Sequence, residues 1–117
     1  MFNFNVEIEE ALTALGTSYA YMHYEGSADT YITYMQTDKS NTLAGDDQVL
    51  GCVVYYDFDI YSRGNYLGLI DALIDKLEGY GWTYEPSRDS PDLYETDTRY
   101  YHKTICMAKE SQRESEE

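Results

Sequence analysis

Alternation of apolar and polar positions is clearest between Gln48 and Ser62. Leu50, Cys52, Val54, Tyr56, Phe58 and Ile60 recur with period two and predict the buried face of a strand. Val49, Gly51, Val53, Tyr55, Asp57, Asp59 and Tyr61 take the opposite face, which begins apolar and ends acidic. Two further segments carry helical spacing instead. Over residues 4–15, Phe4, Ile8, Ala11, Leu12 and Leu15 form a stripe, with Glu7, Glu9 and Glu10 near the positive end and Gly16 as the stop. Over residues 66–78, Leu67, Ile70, Leu73, Ile74 and Leu77 form a second stripe, with Asn65 placed to cap it. Asp71, Asp75 and Glu78 lie on its far side, as a solvated face or one that meets a basic partner.

Shorter runs predict the remaining strands. Residues 19–24, 30–37, 80–85 and 97–108 are dense in tyrosine, threonine and β-branched residues. Residues 38–47 are polar and contain Asn, Asp and Gly, so they read as a ten-residue connection, and 86–91 as a turn-rich loop. The expected fold is α+β: two helices on a mostly antiparallel sheet of four to five strands, in the order α-β-β-β-α-β-β. One domain is expected over residues 1–108, followed by a disordered acidic tail over 109–117.

Charge narrows the function classes. Eight Lys+Arg against 22 Asp+Glu give a net charge of −14, which disfavours specific binding to nucleic acid and to anionic membrane surfaces. No apolar run is long enough for a membrane span, and no basic stretch precedes an apolar one at the start, so neither membrane insertion nor secretion is expected. Fourteen tyrosines against three phenylalanines make Tyr the dominant large side chain, suited to half-buried strands and contact patches.

Catalytic and metal-binding patterns are missing from the sequence. Asp57 and Asp59 share a strand face with Cα atoms about 7 Å apart, yet further oxygen ligands for a hard cation are not evident. Asp46 and Asp47 lack calcium-loop spacing and suit a turn. His23 and His102 have no ligand at metal spacing, and Cys52 and Cys106 read as two buried thiols. No nucleophile elbow or phosphate-binding glycine loop occurs. The expectation is a protein that is not an enzyme and needs no metal or cofactor.

The whole arrangement resembles the tail terminator, or tail completion, proteins of long-tailed bacteriophages and prophages over about residues 5–108. The resemblance rests on the short first helix ending at Gly16 and on Tyr31-Ile32-Thr33-Tyr34 leading into a long polar segment. It also rests on Val53-Val54-Tyr55-Tyr56-Asp57-Phe58-Asp59-Ile60-Tyr61-Ser62 feeding the helix at Leu67, and on Gly81-Trp82 followed by the final strand. It implies a ring, typically a hexamer, that caps the tail tube, meets tail tube protein and head connector proteins, and surrounds the DNA channel. It implies action in the bacterial host cytoplasm during assembly and then in the virion tail. On that reading the segment with Asp38, Lys39, Ser40, Asn41, Asp46 and Asp47 is a loop reaching a neighbouring subunit, and Asp57 and Asp59 face the lumen. A head–tail connector component or an acidic DNA-mimic inhibitor of a DNA-handling enzyme are the alternatives.

Overall fold

The computed structural model describes the backbone of residues 4–45 and 48–112 and the side chains of residues 4–40 and 51–110. Helix α1 spans Phe4–Leu15 and ends at Gly16, whose φ of 75° is the left-handed value that favours glycine. Strands β1 (Ser18–Tyr21), β2 (Thr30–Gly45) and β3 (Gln48–Ser62) follow. Helix α2 spans Leu67–Gly79, and the Asn65 side chain accepts a hydrogen bond from the Leu67 N–H at 3.0 Å. Strand β4 (Thr83–Tyr84), a 3₁₀ turn at Pro86–Arg88, β5 (Leu93–Glu95) and β6 (Tyr100–Gln112) complete the order.

The strands form one sheet in the order β1-β2-β3-β6-β4, with β5 also on β6. Every pairing is antiparallel except β1 with β2. Both helices lie on the same face, where Ile32, Tyr34, Val54, Tyr56, Phe58, Ile60, Ile105 and Met107 meet Phe4, Ile8, Leu12, Ile70, Leu73 and Leu77. The expected α+β class and the expected core face of β3 both hold. Cys52 packs against this core; Leu50 lies outside the residues with described side chains.

Three expectations are corrected. Residues 38–45 are not a loop but the second half of β2, paired from Asp38↔Tyr55 to Gly45↔Gln48, so Asp38, Lys39, Ser40 and Asn41 belong to a hairpin arm. Their polar composition suits this because the arm projects beyond the helices, and β3 supplies the backbone partners that local propensity does not demand. Asp46 and Asp47 lie outside the described residues. The last strand does not stop at 108: Lys109–Gln112 pair with Val54–Gly51, so the presumed disordered tail begins as strand, and residues 113–117 lie outside the described residues. The sheet has six strands rather than four to five, because the loop expected over 86–91 is followed by β5 on the edge of β6.

Cys52 and Cys106 are both free. Cys52 stands opposite Ser111 and Cys106 opposite Asp57, five positions apart along β3 and on different faces, which rules out a bridge between them.

Candidate functional site

The sheet face turned away from the helices carries a group of polar and aromatic side chains in contact with one another. Register alone assembles it. Tyr31 of β2, Tyr61 of β3 and His102 of β6 occupy one row across three strands, and Thr33, Asp59 and Thr104 occupy the next. Met35, Asp57 and Cys106 form a third row.

The first row is a stack of rings. Tyr24 lies on Tyr31 at 4.2 Å between centroids, Tyr31 on Tyr61 at 4.7 Å, and Tyr61 on His102 at 4.1 Å, all within 20° of parallel. Tyr100 meets Tyr31 edge-on and is buried; its hydroxyl donates to the Ala28 carbonyl at 2.7 Å, tying the loop before β2 to the far side of the sheet. Arg63 closes the group, with its guanidinium 4.3 Å above the Tyr100 ring and 3.2 Å from Asp29.

The two aspartates expected on this face are there, but neither stands free in water. Asp59 lies 3.2 Å from His102 Nε2 and accepts the Thr104 hydroxyl at 2.5 Å. Burial works against its charge, but these hydrogen bonds and the imidazole outweigh burial and hold its carboxyl below the usual range. Asp57 is less well supported: burial and the charge of Asp59 push its carboxyl up, and hydrogen bonds from Cys106 and Thr37 together with the charge of Arg88 offset only part of this. Its neighbour Cys106 is fully buried, and burial together with Asp57 raises the thiol to about 11. Arg88 lies over this row, 3.8 Å from the Tyr55 ring and 3.5 Å from Asp38.

His102 has Asp59 on one nitrogen and Glu95 3.9 Å from the other, and among the described residues no hydroxyl or thiol lies in hydrogen-bond reach of either nitrogen. Cys106 is a thiol held neutral. Among the described residues no group of three or more His, Cys, Asp and Glu side chains is arranged to hold a metal ion, and no described helix is long and apolar enough to cross a membrane. His23 is exposed and lies 3.7 Å from Glu25.

The ring stack was not legible as such. Tyr31 and Tyr61 alternate correctly in the sequence, but their alignment with each other and with His102 depends on cross-strand register. The other exposed large apolar side chains are Tyr21 and Met22 at the β1 end, Leu93, Tyr94 and Tyr101 on β5 and β6, Val6 on α1 and Leu67 at the start of α2. No protein-family model matches the chain, and no curated protein matches it in sequence.

Proposed function

We propose that this protein is a structural, self-assembling component of a bacteriophage or prophage tail, a tail terminator that forms a ring on the end of the tail tube and joins it to the head. The observation that carries the reading is the β2–β3 arm. β2 and β3 run for 16 and 15 residues, whereas their fully buried core residues lie within Ile32–Tyr34 and Val54–Ile60, with Cys52 packed at the edge of that cluster. The rest extends past both helices with residues 36–40 exposed. A ribbon of this length contributes little to its own domain's core, and it suits a contact made outside the domain.

The acidic charge fits the same task. Walls with net negative charge do not adhere to DNA, so a passing genome slides. Asp57 would contribute to such a wall; Asp59 is already engaged by His102 and Thr104 and acts first as a brace. The DNA-mimic alternative needs a ladder of free carboxylates, and the pairing of Asp59 removes one rung.

Electron microscopy of polymerising tail tube protein from the same phage genome tests this. Adding the protein should stop tube growth and leave a ring at tube ends. A variant in which residues 40–53 are replaced by Asn-Gly should fold, because its core residues remain, and should leave the tubes growing. Tubes that ignore the intact protein would contradict the terminator reading.

A further inference from the structure

The outer half of β2 is thinly supported. From Tyr31 to Tyr34, β2 is paired on both sides, by β1 and β3; from Asp38 to Gly45 it is paired to β3 alone among the described residues. The register of that pairing shifts at Gln36/Asp38, Asn41/Leu43 and Leu43/Ala44, whereas β3 meets β6 without a shift from Gly51 to Ser62. Each shift leaves a residue outside the ladder and disrupts it locally. Side-chain packing adds little, because residues 36–40 are exposed.

One long side chain crosses the sheet to this stretch. Arg88 belongs to the 3₁₀ turn that follows β4, on the far side of β6. That turn is fixed to β6: the Glu85 N–H donates to the Cys106 carbonyl at 2.9 Å, the Ser90 N–H donates to the Thr104 carbonyl at 2.9 Å, and the Thr104 N–H donates to the Ser90 hydroxyl at 2.8 Å. From this anchored base the guanidinium lies 3.8 Å over the Tyr55 ring of β3 and ends 3.5 Å from Asp38 of β2. Asp38 and Tyr55 stand opposite each other, and Asp38 is the first paired residue beyond the bulge at Thr37. The contact therefore falls where the thinly supported stretch begins.

We propose that Arg88 is a latch on the outer half of β2: it pins Asp38 against Tyr55, and on its release residues 38–45 peel from β3 as a unit while the core stays closed. The device goes beyond the tail reading and stands whatever the arm touches.

Two features set this contact apart from an ordinary surface ion pair, whose gain is spent on side-chain entropy and screened by salt. The flat guanidinium is stacked on a ring, which holds it in place for the carboxylate. The carboxylate is held too, because Asp38 accepts the Lys39 N–H at 2.7 Å. The consequence of release is local: β3 keeps β6 on its other side through Gly51↔Gln112, so only the edge stretch comes free. The backbone edge of β3 that it bares is a strand-pairing surface, and Arg88 governs when that edge is open.

Hydrogen exchange followed residue by residue by NMR, on the full chain at low salt, tests the latch. Arg88→Ala should speed exchange of the protected amides within residues 39–45 roughly three- to twentyfold. Amides of residues 32–34 and 105–107 should keep their wild-type rates. Asp38→Asn retains an oxygen for the Lys39 N–H and leaves the stack on Tyr55, so it should speed the same arm amides by a smaller factor. The double variant should match Arg88→Ala. Both side chains are about half exposed, at 41% and 52%, so neither substitution removes core packing. Arm amides that exchange at the wild-type rate in Arg88→Ala, core amides that accelerate by the same factor, or a double variant in which the two effects multiply would each overturn the latch.

Discussion

Four of the fourteen tyrosines are satisfied by carboxylates. Tyr34 donates to Glu9 at 2.9 Å, Tyr66 to Asp92 at 2.7 Å and Tyr80 to Glu10 at 3.3 Å, and Tyr84 donates to Asp89. Trp82 donates to Glu7 at 2.6 Å, and Lys109 bridges to the same carboxylate at 3.0 Å. Burying a ring while its polar tip meets an anion avoids the cost of an unsatisfied hydroxyl. Burial and the partner carboxylates push the Tyr66 and Tyr84 hydroxyls up to about 12, so they remain donors at neutral pH. Asp57 and Asp59 should respond oppositely to substitution. Asp59 is held below its ordinary range, so its contribution is present above the unfolded carboxylate pKa and is lost as pH falls through the folded value. Asp57 is held above it, so ionisation opposes folding once pH rises through its folded value. Asp59→Ala should cost roughly 1.5–3 kcal/mol near neutral pH, with the deficit shrinking in acid, and Asp57→Asn should stabilise at neutral pH. Urea titrations at about pH 7 and about pH 3 bracket the carboxylate range and check both signs. A stabilising Asp59→Ala would contradict the brace.

At the scale of elements, β3 organises the fold. It is paired along both sides, to β2 and to β6, and Phe58 sits at its centre with no exposure. Phe58→Ala should cost roughly 3–5 kcal/mol, a large share of the stability of a domain this small. Denaturant midpoints measure it, and near-wild-type stability would mean that the core face is assigned backwards. This strand was fully legible because period two persists through Val54, Tyr56, Phe58 and Ile60, and both helices were legible from stripes bounded by Gly16, Asn65 and Gly79. The second half of β2 was not. Asp38, Ser40, Asn41 and Gly45 favour turns locally, and only pairing with β3 makes them extended. The end of β6 failed for the same reason: Lys109 and Glu110 read as tail until Val54 and Val53 are found opposite them. β5, at three residues, is too short for any periodicity to show. Of the candidate site, Asp57 and Asp59 were placed on the correct face, but their unequal environments depend on His102 and Thr104, which arrive from a strand over forty residues away.

Across the whole molecule, the arm sets the dimensions. The principal extents are 53 × 25 × 23 Å, and the radius of gyration of 15.6 Å exceeds the roughly 13 Å of a compact domain of this length. An elongated, strongly acidic chain with a projecting ribbon suits the role proposed above, a subunit of a larger assembly. Self-repulsion from −14 per copy opposes assembly when charges are unscreened, and the screening length falls from about 10 Å at 0.1 M salt to about 3 Å at 1 M. Assembly should therefore strengthen with salt, the reverse of an association driven by opposite charges. Sedimentation equilibrium of the intact protein across a salt series measures this most directly. The account predicts monomer at low salt giving way to one discrete closed oligomer at high salt. A chain that stays monomeric throughout, or one whose oligomers dissolve as salt rises, would contradict it.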